Sequence, residues 1–320
     1  MAESILGGEL AEKKKRFFTA KVFVRFVRQK PLGTVGFVIT VIFLLTGIFA
    51  DLIAPYGIND VTSDVFFPST AKYWLGTDNL GRDLFSRVVY GARISMIVGL
   101  SSAALSIVVS LVIGIPSGYF GGALDMIVQR FVDAWMFFPN LIRLMLLMSI
   151  VGYGMSPVIL MTAVGMGIPG SRIIRGAVMT AKENMYIHAA QSMGCSTWRI
   201  FVRHILPNIM APVMTLFSIR VPNAILAEAS LSFLGFGIPP PTPSWGSMLT
   251  GGARDNVLMS PMTIVWPGLA LALVVYGVNI FGDALRDILD PRLRGGVGRF
   301  GIGGKIRKKQ KIRKKEVAAG

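Results

Sequence analysis

A chain of 320 residues that is 52% hydrophobic and only 16% charged, with a mean hydropathy of +0.60, is too apolar for a soluble globule. Its net charge of +16 is gathered at the two ends, with eight basic residues from Lys13 to Lys30 and eleven from Arg292 to Lys315. That basicity suits nucleic acid, but the apolar stretches between the ends, each about 20 residues long, exclude an ordinary soluble nucleic-acid binder.

Cys195 is the only cysteine, so no intramolecular disulfide forms. The polar, basic first 30 residues and the long apolar run behind them argue for a retained span rather than a cleaved signal peptide. No repeat is visible.

A bilayer core about 30 Å thick needs about 20 apolar residues in a helix. Six segments meet this length in chain order. The first is 34–54 and the second starts near Ile94 and stays uncharged until Asp125. The third lies within 127–154. The fourth runs from about Pro157 to Arg172 and Arg175. The fifth covers "ILPNIMAPVMTLFSIRVPNAILAEASLSFLG" and the sixth "PMTIVWPGLALALVVYGVNIFG". Little polar sequence separates the third from the fourth. The expected fold is therefore an all-α polytopic membrane protein with six transmembrane helices. The expected division is a basic N-terminal segment (1–32), a first span with an outer segment (33–92), a core of five helices and one polar loop (93–287), and a basic tail (288–320).

An even number of spans puts both termini on one side. Lys and Arg favour the cytoplasmic side, so the basic ends predict cytoplasmic termini in a multi-pass plasma (inner) membrane protein. The tail "KIRKKQKIRKK" is expected to touch anionic lipid rather than nucleic acid.

The loop between spans four and five then faces the cytoplasm. It contains "NMYIHAAQSMGCSTWRIFVRHILPNIM" (Asn184 to Met210), with no acid in it. Gly194 suits the left-handed position that ends a helix, and Ser196 or Thr197 suits the start of the next. Ala189, Ala190 and Gly194 present almost no side chain. Trp198, Phe201, Val202 and Ile205 recur at helical spacing and predict an apolar face, with Arg199 and Arg203 opposite. The loop reads either as an amphipathic helix pair resting on lipid or as a docking surface. The small-residue cluster favours docking, since a lipid-resting helix would carry Leu or Phe there.

The pattern Ala189-Ala190-x-x-x-Gly194, then eleven residues, then Leu206-Pro207, resembles the coupling loop of ABC importer permeases. His188 stands where that family usually has Glu. The resemblance continues in "WLGTDNLGRDLFSRVVYGARISMIVGL" (Trp74 to Leu100), "ILAEASLSFLGFGIPPPTPSWGSML" (Ile225 to Leu249) and "GDALRDILDPRLR" (Gly282 to Arg294), and is to the dipeptide, oligopeptide and nickel group. It implies a permease subunit that forms half of a translocation path for di- or oligopeptides, or for a nickel chelate. The partners it implies are a sister permease, two cytoplasmic ATPase subunits and an extracytoplasmic substrate-binding protein. The coupling residues it implies are His188, Ala189, Ala190, Gly194, Leu206 and Pro207.

Other polar residues are read against simpler roles. Asp78 and Asp83 with Arg82, Arg87 and Arg93 suit a site for a charged ligand, but read more simply as a helix start, with Thr77 or Asp78 capping and Asp83 pairing with Arg87. Arg143 and Glu228 fall inside spans, where ionisable groups face a bundle interior or a cavity. Both are candidate path residues, and Glu228 equally suits a bond to a neighbouring helix. Trp245 reads as an interfacial anchor. His188 and His204 lack partners at metal-ligand spacing, so no metal site is expected. "GIGGKI" lacks the first glycine and the Ser/Thr of a phosphate loop, so no nucleotide or other cofactor is expected on this chain. No nucleophile–base set is legible, which argues against a membrane-embedded enzyme. An ion-coupled secondary transporter is the rival reading. It predicts midplane acids and repeated halves, whereas Glu228 is the only acid these spans offer at any depth and no repeat is evident.

Overall fold

The computed structural model describes residues 30–62, 64–250, 258 and 260–289. The basic tail and nearly all of the N-terminal basic segment lie outside the described residues. Every regular element described is helical: α1 (Pro31–Ile48), α2 (Ala50–Ile53), α3 (Leu84–Phe120), α4 (Gly122–Phe137), α5 (Asn140–Val151), α6 (Met155–Lys182), α7 (Met185–Ser192), α8 (Thr197–Arg199), a π-helical turn at Ile200–Ile205, α9 (Leu206–Asn208), α10 (Met210–Phe233), α11 (Trp245–Met248) and α12 (Met262–Leu289).

Five of these, α1, α3, α6, α10 and α12, are each long and apolar enough to cross a membrane. The sixth predicted span is a bent pair. α4 and α5 meet at 92° across Phe138 and Pro139. Phe138, directly before proline, is pushed out of helical conformation to φ −83°, ψ 136°. Span one also ends earlier than expected, at Ile48, with the short α2 following a break at Phe49.

In lipid, tails are as apolar as leucine, so helices associate where small residues let backbones approach. α3 and α6 follow this rule. A Cβ at Gly114 would sit 2.6 Å from the Ser171 carbonyl, one at Gly118 2.8 Å from the Arg175 carbonyl, and one at Gly167 2.5 Å from Val109. Ser110 Oγ donates to the Gly167 carbonyl at 2.7 Å across the same seam. α1 packs on α12 through Gly36 and Gly277, leaving Val38, Ile42 and Leu45 exposed for lipid. Lys30 at the start of α1 reaches Asp287 near the end of α12 at 2.5 Å, so the described chain begins and ends at one end of the bundle.

The segment between α2 and α3 is organised by carboxylates. Asp83, not Thr77 or Asp78, caps α3, accepting from the Ser86 N–H at 2.8 Å. Asp78 pairs with Arg82 at 2.7 Å and lies 3.6 Å from Arg87, so the expected Asp83–Arg87 pair is replaced by this fork. Arg93 pairs with Asp51 across the α2–α3 contact at 2.8 Å and holds that carboxyl below its usual range.

Trp245 is not at an interface with lipid. It is fully buried, edge-on to Phe43 at 5.7 Å, and its indole N–H donates to the Val88 carbonyl at 3.1 Å. A capping box between Ser244 and Ser247 fixes the short helix that carries it.

Candidate functional site

The polar interlude forms two linked helices. α7 ends in a Schellman motif: Cys195 N–H donates to the Ala190 carbonyl at 3.0 Å and Gly194 N–H to Gln191 at 2.9 Å. Gly194 has φ +74°, the left-handed conformation expected for it, and a Cβ there would meet nothing within 4 Å. Ser196 stands at the next N-cap, although its side chain makes no capping bond.

The apolar face of the second helix differs from expectation. Ile200 and Ile205, five residues apart, are buried, as is Ile209, while Phe201 is half-buried. Trp198 is 75% exposed, and Val202 is exposed too. The cause is the wide turn at Ile200–Ile205, where Leu206 N–H reaches back five residues to the Phe201 carbonyl. Pro207 explains the widening. It has no N–H for the Arg203 carbonyl, and its ring would strike that carbonyl in an α-turn.

The loop is fastened to the bundle. Ile187, Ile200, Ile205 and Ile209 share one core with Ile174 and Val178 of α6, Ile115 of α3 and Val213 of α10. Phe201 lies edge-on to Tyr119 at 5.0 Å at the end of α3, and Gln191 donates to the Tyr119 hydroxyl at 2.9 Å. Its outer face carries His188, Ala189, Gly194 and Pro207, all exposed, together with Met185 at 86%, Met193 at 85% and Trp198. Ala190 is turned inward and Leu206 is half-buried. Exposed methionines and a tryptophan thus sit together on a segment that is well anchored on its other side.

The bundle also holds a cavity of about 690 Å³ between α5, α6 and α10. Its lining includes Arg143, Arg220, Asn140, Asn223 and Ser230, with no Asp or Glu. A second cavity, about 570 Å³, opens toward the end of the bundle that carries α7 and shares Leu216 and Ile219 with the first. Pro212, Thr215, Ile219, Asn223, Leu226 and Ser230 recur at three- and four-residue spacing, so one stripe of α10 faces both cavities.

Arg143 braces the α4–α5 bend. Its Nη1 donates to the Trp135 carbonyl at 2.6 Å and to Phe138 at 3.3 Å, and its Nη2 to Asn140 Oδ1 at 2.8 Å and to the Gly165 carbonyl at 3.2 Å. The guanidinium also lies over the Trp135 ring, 4.9 Å from its centre. Glu228 is outside the cavity lining and fully buried, where it accepts from Ser232 Oγ at 2.7 Å. Arg220 was not singled out in the sequence, although it sits in the same span as Glu228. The available signal was a lone arginine in "LFSIRVPN", an intramembrane charge of the kind that marks a functional site.

Comparison with known proteins agrees with this architecture. The glutathione transport system permease protein GsiD of Pectobacterium atrosepticum is 37% identical over 84% of this chain and 90% of its own. The oligopeptide transport system permease protein OppC of Bacillus subtilis is 36% identical over 89% of this chain and 93% of its own. The dipeptide transport system permease protein DppC of Alkalihalophilus pseudofirmus is 35% identical over 84% and 88%. A solved structure of the MetNI methionine ABC transporter, described as inward facing, shares the fold with a TM-score of 0.50 at 17% identity, covering 64% of this chain and 96% of that one. Residues 110–295 match the family described as the binding-protein-dependent transport system inner membrane component. The chain belongs to that family and is a multi-pass permease subunit of an ABC importer, a class that works with ATPase and substrate-binding components.

Proposed function

We propose that this chain pairs with a sister permease to form a path for di- or oligopeptides. Two cytoplasmic ATPase subunits would drive it, and an extracytoplasmic binding protein would deliver cargo. The permeases for glutathione, oligopeptides and dipeptides, each at least 35% identical over most of the chain, support peptides over a nickel chelate. Both termini and the α7–α9 loop lie on the cytoplasmic side in this reading, as the basic ends require.

The observation that carries the mechanism is the pairing of an anchored inner face with an exposed outer one. Met185, Met193, Trp198 and Gly194 face outward, while Ile187, Ile200 and Ile205 lock the loop to α3, α6 and α10. An ATPase that grips the outer face therefore moves three spans together rather than a loose loop. Closure of the ATPases on ATP would push this unit and rock the two permeases between inward- and outward-open states. With no phosphate loop in the sequence, the purified chain alone is expected to hydrolyse no ATP.

Gly194→Arg tests the docking face. The new side chain adds bulk and charge at the contact and a left-handed strain of roughly 1–2 kcal/mol. Membrane levels should stay normal, ATPase co-purification should weaken and peptide uptake should be nearly lost. Wild-type uptake with undiminished ATPase association would remove the docking role.

A further inference from the structure

Arg220 is the eleventh residue of the 24-residue α10, about 15 Å along it at 1.5 Å per residue, and so lies near the middle of that span. It is only 5% exposed, its Nη1 is buried without a hydrogen-bond partner, and it makes no ion pair among the described residues. A buried, unpaired cation at that depth is costly and is kept where a counter-charge arrives.

The surroundings are built for that cation. α6 carries Gly170 beside it, and a Cβ there would collide with Arg220 Nη2. Arg143 lines the same cavity with a second positive charge, and its own bonds go to carbonyl and amide oxygens rather than to a carboxylate. Two cations thus share a space of about 690 Å³ whose lining contains no acid. Asn140, Asn223 and Ser230 add neutral polar groups around it. The volume falls within the range of about 300–1,000 Å³ typical of small-molecule sites.

We propose that this cavity is an anion site within the translocation path, where Arg220 receives the C-terminal carboxylate of a peptide in transit. The identity of the anion rests on the peptide reading above. The presence of an anion site rests on the cavity itself. Arg220 forms the charged contact, Arg143 adds field from the α4–α5 bend, and Asn223, one turn along α10, provides amide contacts beside it. The site binds only in passing, because a single unpaired arginine in a half-open cavity grips a carboxylate without enclosing the rest of the peptide.

Two measurements on the assembled transporter test this. In the first, a cysteine at Asn223, in a Cys195→Ser background, is labelled with an anionic sulfonatoethyl methanethiosulfonate or a cationic trimethylammonioethyl analogue. The anionic reagent should react faster, after correction for free-thiol rates, and Arg220→Gln should abolish the preference. No anionic preference, or one indifferent to Arg220→Gln, would overturn the anion site. In the second, uptake of tetra-alanine is compared with its C-terminal amide. Hydrogen bonds to charged groups imply that Arg220→Gln lowers free-acid uptake by about ten- to a hundredfold, and Arg220→Lys less. The amide, slower in the wild type, should be little affected. Wild-type-like free-acid uptake in Arg220→Gln would overturn the cargo role even if the labelling succeeds. Loss of sister-permease co-purification in Arg220→Gln would show instead that a carboxylate of that subunit fills the site. If the wild type imports neither peptide, the peptide reading and the carboxylate assignment fall together, and the labelling result still decides whether the cavity is an anion site.

Discussion

Arg143 supplies the hydrogen bond that Pro169 withholds. Within α6 the carbonyl of Gly165 would accept from the N–H four residues on, but that residue is Pro169 and has none. Arg143 Nη2 fills the gap from α5 at 3.2 Å, while Nη1 takes the Trp135 carbonyl at the end of α4. One side chain thus joins the bent pair to a continuous span.

This predicts a coupled pair of substitutions. Arg143→Met leaves the buried Gly165 carbonyl and the part-buried Trp135 carbonyl open and should cost about 1–3 kcal/mol, seen as a lower thermal midpoint in detergent. Pro169→Ala restores the donor to Gly165, so the cost of Arg143→Met should shrink in that background. Strict additivity of the two changes would refute the shared role. Arg143→Lys should rescue only in part, because a single ammonium cannot reproduce the planar fork.

Gly91 leaves the space that the Trp245 indole fills. A Cβ at Gly91 would lie 2.8 Å from the indole, whose N–H is committed to Val88. Gly91→Ala should therefore displace the ring and destabilise by about 1–3 kcal/mol, as overpacking does. The tryptophan emission should shift to the red at the same time. An unchanged midpoint and spectrum would show that the contact relaxes freely.

The sequence made helices legible through apolar length, and it made the coupling loop legible through Gly194, whose left-handed position needs no tertiary information. It misplaced features decided by packing between distant segments. Trp245 looks like an anchor because its flanking prolines suggest a membrane edge, yet Gly91, far back in the chain, opens a buried slot for it. Trp198 falls on the apolar face only under a 3.6-residue period, and Pro207 breaks that period. Pro139 turns one predicted span into a bent pair, and the brace that stabilises the bend, from Arg143 to Gly165, spans 22 residues. Arg220 went unnoticed because its meaning depends on an acid-free cavity that only three assembled helices create.

A pH effect follows from Asp51, which lies outside the membrane spans. The guanidinium of Arg93 first, and the Tyr90 hydroxyl next, hold its carboxyl below the usual range, against an opposing effect of desolvation. A depressed folded-state value means that the pair stabilises above the ordinary carboxylate range and loses this contribution as pH falls through the folded value. The thermal midpoint of Asp51→Asn should thus lie below the wild type at pH 7 and approach it as the pH is lowered through the depressed folded value. A gap of equal size throughout would mean that charge plays no part. Because the carboxylate is exposed, the gap should also narrow in high salt.

Pro207 should set the orientation of the docking face. Replacing it with alanine returns an N–H to the Arg203 carbonyl and lets Ile200–Ile205 tighten from a π-turn to an α-turn. Removing one residue's worth of extra turn rotates Trp198 and Ile200 by about 100° relative to Ile205 and Ile209. Ile200 would leave its place beside Ile174 and Val178, and Trp198 would leave the outer face. Pro207→Ala should therefore assemble with its ATPase partners but transmit poorly. Cargo-loaded binding protein should stimulate ATP hydrolysis several-fold less than in the wild type, with the basal rate retained. The geometry is checked by a cysteine at Trp198 in the Cys195→Ser background. Its cross-linking to the ATPase should be efficient with proline at 207 and poor with alanine. Equal cross-linking and equal stimulation in both backgrounds would show that the π-turn does not orient the contact.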